Sequence, residues 1–335
     1  AVMSILVPAG IEVSAKTLLV GLRLDGRTEK REFPNTPTGH RRVRGFLHRR
    51  GTVVRVCMEA TGVYGLDAAL ALEGAPGLEL MVANPRSVHD FARARMQRSK
   101  DDALDLEVLI DYAARMPFRP WSRPSLAELQ LRGLMRTVRA LIDARTAAKN
   151  RLHAVAACAA FSPVCHRELQ RLVAVHTRTI ARLEAAAQRL VAGEPTLARR
   201  AALLQTIRGV GARTARALLA ELAGLPDELD RRQLVAHAGL DPRHVRSGSS
   251  VALKPRISKV GNRRLREALF LPALVAIQRE PRVRAFYDAL LRRGKAPRQA
   301  QVAVMRKLLH AVWGVLHYSS PFDVARLLPN RLPAT

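Results

Sequence analysis

The chain reads as an α/β protein with a mixed sheet in its N-terminal third, followed by a long helical stretch and a mostly α C-terminal part. Three observations lead there. Up to Ala83 the apolar runs come in the order hairpin, strand, helix, strand, with a further helix after them. From Leu126 to Leu190 apolar residues recur at three- and four-residue steps. Pro117, Pro120 and Pro124, and later Gly193-Glu194-Pro195-Thr196, interrupt the pattern, so domains are expected at 1–124, 125–195 and 196–335.

Residues 4 to 34 predict three strands. An apolar run reaches Ile11-Glu12-Val13, a second spans Leu18 to Leu24, and the Asp25-Gly26 turn signal leads to a third through Phe33. Pro34-Asn35 closes the unit, and the basic segment 40–50 predicts a helix. Val53 to Met58 is nearly all apolar, as a buried strand is, and ends at Glu59-Ala60-Thr61-Gly62; a helix rich in alanine and leucine follows to Glu73. Leu78 to Ala83 predicts another strand, stopped by Asn84-Pro85. Residues 100–116 have a helix pattern, with Leu104, Val108, Leu109 and Tyr112 apolar.

Acidic side chains in this basic chain fall at telling places. Glu59 lies at the C-terminal end of an apolar strand, the edge where α/β sheets place ligands. Glu12 sits inside the first strand, between Ile11 and Val13. Asp102 and Asp105 are three apart and share one helix face, where like charges cost about a few tenths of a kcal/mol unless a cation lies between them. Asp101 falls on another face, with Glu107 and Asp111 farther along. Glu12, Glu59, Asp102 and Asp105 would supply the oxygen ligands that Mg²⁺ takes. Helix capping and solubility are the alternative roles for these acids.

Net charge is +28, from 56 Lys+Arg against 28 Asp+Glu, and the excess runs through periodic, apolar-rich segments. The folded surface must itself be basic, which points to a nucleic-acid partner, with an anionic membrane surface as the alternative. Only 4% aromatic residues argues against reading single strands by base stacking, so duplex or structured RNA gripped through its backbone fits better. No apolar run reaches transmembrane length, and Cys57, Cys158 and Cys165 make no disulfide framework or zinc spacing. The expectation is a soluble, cytoplasmic protein without a membrane partner, nucleoid-associated when bound.

Two amphipathic helices are expected in the middle, Leu126 to Ala157 and His166 to Leu190, joined through Phe161-Ser162-Pro163. Such a hairpin leaves an apolar stripe for a coiled coil across a subunit boundary, or for packing on its own domain. His153, His166 and His176 lack partners at ligand spacing. Beyond it, 203–222 reads helix, Gly209-Val210-Gly211, helix. That spacing resembles the helix-hairpin-helix element, whose turn offers N–H groups to a backbone phosphate while Arg208 and Arg213 add charge. A plain helical hairpin is the alternative. A short helix over 227–240 then leads to a glycine-bounded loop carrying Ser247, Ser249 and Ser250 amid Arg243, Arg246, Lys254, Arg256, Lys259, Arg263, Arg264 and Arg266. Hydroxyls inside that much positive charge suit phosphodiester chemistry or simple backbone contact. His244 and Asp241 are near, but no Ser/His/Asp triad is evident. Gly261-Asn262 forms the turn before a helix over 263–279. Two further helices follow, one through Phe286 to Leu291 and one from Gln299 to Leu316, with Lys307 and His310 exposed and Trp313 in the core.

The segments G-I-E-V-S-A-K-T-L (10–18), M-E-A-T-G-V-Y (58–64), V-A-N-P (82–85) and S-K-D-D-A-L-D (99–105) resemble the N-terminal half of IS110-type insertion-sequence transposases. That half is similar to RuvC Holliday-junction resolvases, with an RNase H-like fold and four acidic metal ligands. The resemblance places those acids at Glu12, Glu59, Asp102 and Asp105. The family normally has Asp in G-I-D-V-S where this chain has Glu12, and its lysine after the serine is displaced, since Ala15 precedes Lys16. Q-L-V-A-H-A-G-L-D-P-R-H-V-R-S-G (233–248) and I-S-K-V-G-N-R-R-L-R-E-A-L (257–269) resemble the family's C-terminal domain, whose nucleophilic serine falls on Ser247.

The resemblance implies a DNA recombinase that cuts and rejoins donor and target DNA through serine–DNA linkages, with Mg²⁺ or Mn²⁺. It also implies a structured guide (bridge) RNA, and dimers assembling to tetramers with composite sites. Two rivals remain: a RuvC-like structure-specific endonuclease using water, and a non-catalytic architectural DNA/RNA-binding protein.

Overall fold

The computed structural model describes residues 5–49, 52–60, 62–96, 101–158, 160–226, 228–247 and 251–328, with residue 5 and segments 243–247 and 251–256 described by backbone alone. Two compact units divide it, Ala1–Arg123 and Pro124–Thr335.

The first unit is built on one sheet of β1 (Ile5–Val13), β2 (Thr17–Leu24), β3 (Arg27–Pro34), β4 (Thr52–Glu59) and β5 (Leu78–Ala83), in the order β3-β2-β1-β4-β5. The first three strands are antiparallel neighbours, while β1, β4 and β5 run parallel, so the sheet is mixed as the sequence predicts. The Asp25-Gly26 turn joins β2 to β3 with both residues at positive φ. Helices α1 (Pro37–Leu47) and α2 (Leu66–Leu72) bury Val43, Leu47, Ala69 and Leu72 with Ile11, Val20 and Val56 on one side of the sheet. On the other side lie α3 (Pro85–Ala94) and α4 (Asp102–Arg115), whose Val88, Val108 and Leu109 pack with Cys57 and Met81.

The third helix is absent from the sequence reading. Asn84-Pro85 stops the strand and also starts a helix: the Asn84 side chain accepts a hydrogen bond from Arg86 N–H at 2.9 Å, and Pro85 occupies the first helical position.

The second unit opens with α5 (Leu126–Ala156) and α6 (Pro163–Gly193), 31 residues each. Ser125 and Glu128 form a capping box at the start of α5; Ser162 caps α6, and Pro163 follows it, starting this helix earlier than expected. The root of this hairpin shares a core with α7 (Pro195–Gln205), α8 (Ala212–Leu222), α9 (Arg231–His237), α10 (Arg263–Arg279), α11 (Pro281–Arg292) and α12 (Pro297–His317). Leu131, Met135, Ala187 and Val191 belong to that core, whereas no described residue between 149 and 179 is buried. Trp313 is partly buried and donates to Leu229 O at 2.7 Å. A short α13 (Val324–Leu327) follows the last long helix. Among the described residues no helix is long and apolar enough to cross a membrane.

The segment read as a loop around Ser247 is instead an antiparallel ribbon, β6 (Pro242–Ser247) and β7 (Val251–Ile257), with an irregularity between Arg243 and Val245. Glycines and charges suggested a loop, but Val245, Val251, Leu253 and Ile257 give the ribbon its β-formers, and each strand supplies the other's backbone partners.

Candidate active site and nucleic-acid interface

The geometry of the acidic edge follows from two glycines. Gly10 on β1 and Gly21 on β2 are register partners. A Cβ on Gly10 would stand 3.0 Å from Leu109 Cβ, and one on Gly21 would stand 2.9 Å from Leu106 Cδ2. Without side chains there, α4 lies directly on the strands. Successive strand residues alternate faces, so Glu12 shares the helix-covered face with Gly10, and Glu59 shares it with Cys57, which packs among α4 residues. Both glutamates lie at C-terminal strand ends, where the first turn of α4 brings Asp102 and Asp105.

The four predicted acids therefore converge. Burial first, then the carboxylates of Glu59, Asp105 and Asp102, push the Glu12 carboxyl up to about 7, against a hydrogen bond from Val13 N–H. Burial, then Glu59, also pushes the Cys57 thiol up to about 12, leaving it an inert core residue.

The other acids of α4 do different work. Asp101 caps the helix, accepting from Ala103 N–H at 3.2 Å. Glu107 pairs with Arg23 at 2.6 Å and Lys30 at 2.8 Å. Buried Asp111 pairs with Arg23 and, at 2.5 Å, with Arg95. The helix is thus neutralised along its far part. In donor chemistry, a glutamate whose proton affinity three neighbouring carboxylates raise fits a divalent cation. Among the described residues no three such side chains stand close enough to enclose one ion.

A polar tie missed in the sequence holds this edge. The Asn35 amide donates to Ser14 O at 3.0 Å and Tyr64 O at 2.9 Å, joining the chain after β1 to the chain after β4. Its Oδ1 lies 2.8 Å from Nε2 of buried His40, whose pKa burial lowers. No spacing rule links residues 14, 35, 40 and 64, so only the fold reveals the tie.

In the second unit, Ser247 is the last residue of β6, paired with Val251, about 17 Å along the strand from the ribbon's base at Pro242. Arg243, Arg246, Lys254 and Arg256 sit on the two strands; their side chains and that of Ser247, like Ser249 and Ser250 altogether, lie outside the described residues. The base is stapled. Ser258 Oγ donates to Asp241 Oδ1 at 2.7 Å, Lys259 N to Gly239 O at 3.1 Å, and Asn262 N to His237 O at 2.7 Å. Gly239 and Gly261 have φ of +63° and +124°, and a Cβ on either would strike backbone, at 2.6 Å and 2.2 Å respectively. Asp241 is thus engaged in holding the ribbon.

Asn262 caps α10 and donates to Glu221 Oε2 at 2.8 Å, while Arg136 grips both oxygens of that buried carboxylate at 2.9 Å. Lys259, Arg263 and Arg264 are exposed beside the base, Arg263 with Glu267 at 2.6 Å.

At the Gly209-Val210-Gly211 turn the glycines have different jobs. Gly209 has φ +93°, and a Cβ there would come within 2.6 Å of Pro272 O, so this glycine serves packing against α10. Gly211 faces open space and caps α8. Arg208 is exposed, but Arg213 lies 2.5 Å from Glu184 of α6. Glu280 and Asp323 line the same cleft as the turn, an acidic presence the sequence reading did not anticipate.

Comparisons with known proteins follow this division. Residues 9–157 match a transposase family model of the DEDD, IS110 type, and residues 201–288 match the transposase IS116/IS110/IS902 family. The pilin gene-inverting protein of Moraxella bovis is 29% identical over 282 residues, 82% of this chain and 84% of that protein; its Moraxella lacunata counterpart is equally similar. An uncharacterised 43.6 kDa protein of insertion element IS110 from Streptomyces coelicolor is 30% identical over 163 residues, covering 49% of this chain and 37% of that one. With the acidic sheet edge inside the first matched segment and the stapled ribbon inside the second, this chain belongs to the IS110-type family of transposases.

Proposed function

We propose that the protein is an RNA-guided DNA recombinase that cuts and rejoins donor and target strands through a covalent link at Ser247. The observation that carries the catalytic part is the convergence of Glu12, Glu59, Asp102 and Asp105 at the sheet edge, with mutual repulsion that lifts Glu12. These four would hold Mg²⁺ or Mn²⁺, which when bound neutralises charge on the scissile phosphate. The protein's own residues do the rest. Ser247 Oγ bonds to phosphorus as a P–O bond to sugar breaks; the serine proton leaves to a base, and the departing sugar oxygen gains one. A second strand's hydroxyl then reverses the exchange, so no external energy source is needed. Guide RNA, and a tetramer whose composite sites pair one subunit's acidic domain with another's serine domain, belong to this reading through the family resemblance. Arg208, Gly211, Lys259, Arg263 and Arg264 would carry backbone phosphates, with Arg213 available once released from Glu184. A helix-hairpin-helix contact at Gly209-Val210-Gly211 is part of the same proposal.

Purified protein is incubated with element-end duplex, Mg²⁺ and copurified RNA, then denatured. The expected product is a protein–DNA adduct that Ser247→Ala abolishes. Cleavage without an adduct, undiminished in Ser247→Ala, would establish the RuvC-like nuclease instead. Binding without any cut strand would establish the architectural reading.

A further inference from the structure

The edge that carries the acids is also where the ladder between two central strands stops. Pairing of β1 with β4 ends at Ile11 and Met58. Glu12 and Glu59 are the next residues on either strand. Each keeps its outer neighbour, Glu12 with Leu19 of β2 and Glu59 with Ala83 of β5, but the register between the two glutamates has run out. Two carboxylates on adjacent strand ends repel, and the Glu59 charge acts on Glu12. Left to themselves, these ends would draw apart.

Asn35 bridges them. Its backbone N–H donates to Lys16 O at 2.8 Å, which fixes the residue beside the turn that follows β1. Its amide nitrogen donates in two directions, to Ser14 O on the β1 side at 3.0 Å and to Tyr64 O on the β4 side at 2.9 Å. Ser14 is two residues beyond Glu12, and Tyr64 is five beyond Glu59. The partners dictate which way the amide lies. Carbonyl oxygens only accept, so the nitrogen end faces them and Oδ1 faces Nε2 of His40 at 2.8 Å. His40 is 4% exposed, and burial outweighs the nearby Asp67 charge to lower its pKa. The neutral ring therefore donates from Nε2 and locks the amide against flipping. The turn after β1 is itself stiff: Ser14 Oγ accepts from Lys16 and Thr17 N–H at 3.3 and 2.9 Å, and Ser14 N donates to Thr17 O at 2.9 Å. A hold on Ser14 O is thus passed on to Glu12 and not absorbed by the turn.

We propose that Asn35 is a positioning residue for the acidic site, pinning the Glu12 strand end to the Glu59 strand end so that both carboxylates serve one divalent cation. This role rests on the cation reading above, whereas the pin itself rests on hydrogen bonds alone.

The full chain is titrated with Mn²⁺ and the free ion followed by electron paramagnetic resonance, a readout that does not depend on cleavage. Glu12→Gln identifies the signal of this site. Asn35→Ala should weaken that binding by about tenfold, the low end of what supporting hydrogen bonds contribute to a metal site. Asn35→Asp lacks both donors but keeps the shape and the acceptor for His40, so it serves where Asn35→Ala folds poorly, with the same expected loss. Thr36→Ala is the comparator. Thr36 Oγ1 accepts from Gly39 N–H at 3.2 Å and caps α1 without spanning the two strand ends. Its variant should melt lower and keep the parent's Mn²⁺ affinity. Asn35 variants that melt lower yet bind Mn²⁺ like the parent overturn the proposal. So does a Thr36→Ala protein that loses as much affinity as they do.

A metal-free arm follows hydrogen exchange at 14–17 and 62–66, where the Ser14, Lys16, Thr17 and Leu66 N–H groups are bonded in the parent. Both segments should exchange faster in the Asn35 variants than in Thr36→Ala. A parent without a Glu12-dependent Mn²⁺ site would sink the cation reading and leave this arm to decide the pin. Faster exchange at both segments then keeps Asn35 as a brace of the strand ends, and unchanged exchange removes it.

Discussion

At the scale of single residues, half-buried Glu12 and buried Glu221 show two opposite fates for a carboxylate drawn out of water. Glu12 has carboxylate neighbours and a pKa raised from 4.5 to about 7. Its folded form holds a proton more readily than the unfolded chain, so without divalent ion stability falls as pH rises from 4.5 to 7. Glu12→Gln should therefore melt higher than the parent at pH 8, with the difference vanishing near pH 4.5, and should lose Mg²⁺-dependent cleavage by about 100-fold or more. Glu12→Asp sets the oxygens back by about a bond length toward the family's usual geometry and should cleave within about tenfold of the parent. Cleavage by Glu12→Gln at the parent rate would remove the residue from the site. For Glu221 burial works to raise the pKa, but hydrogen bonds from Arg136 and Asn262 outweigh it and hold the group below 4.5. Here the folded state binds protons less readily, so the stabilisation is complete above 4.5 and lost as pH falls through the depressed value. Glu221→Gln should cost about 1.5–3 kcal/mol at pH 7, read by urea unfolding, and flatten the acid limb of the stability profile. An unchanged acid limb would show the pair to be incidental.

The element that decides the site is α4, and what seats it is the pair Gly10 and Gly21. The contact at Gly21 is a leucine methyl that can rotate away, whereas Gly10 faces Leu109 Cβ and Ile110 backbone N, at 3.0 and 3.1 Å. Gly21→Ala should consequently be mild. Gly10→Val should cost about 1–3 kcal/mol by overpacking. It should also reduce cleavage more than stability, because lifting the helix separates Asp102 and Asp105 from Glu12. A Gly10→Val protein that is destabilised yet cleaves normally per folded molecule would break that link. Strand and helix order was legible in the sequence because period-2 and period-3.6 patterns survive in β2, β4 and α5. The acids were legible as residue types at strand and helix ends, which suggested one shared site, and the family pattern implied the same four. The Asn35 tie and the Glu221 clasp join residues 29 and 85 positions apart, and no local rule reports such partners. The ribbon was misread because its pairing is between strands, invisible to a window that sees glycine and charge.

At the scale of the whole molecule, the hairpin of α5 and α6 poses the remaining energetic question. Its root is part of the second unit's core, but its far half holds no fully buried side chain among the described residues and leaves Phe161, Val164, Leu172 and Val175 between 42% and 53% exposed. On α6 the last two are three residues apart and therefore on one face, a short apolar seam of the sort that coiled coils join. Fully burying a leucine or valine is worth about 1.5–3 kcal/mol, so a partner helix covering this seam supplies a real association free energy. That is the expectation if the protein works as an assembly of copies. Leu172→Glu/Val175→Glu should leave the fold intact, since neither side chain supports a core, while weakening self-association by at least about 100-fold. Light scattering across a concentration series reads this directly. If the parent is an assembly and the double variant assembles equally well, the seam is not the contact. If the variant becomes monomeric and still forms the serine–DNA adduct at full rate, assembly is not required for the first cut, and composite sites lose their support.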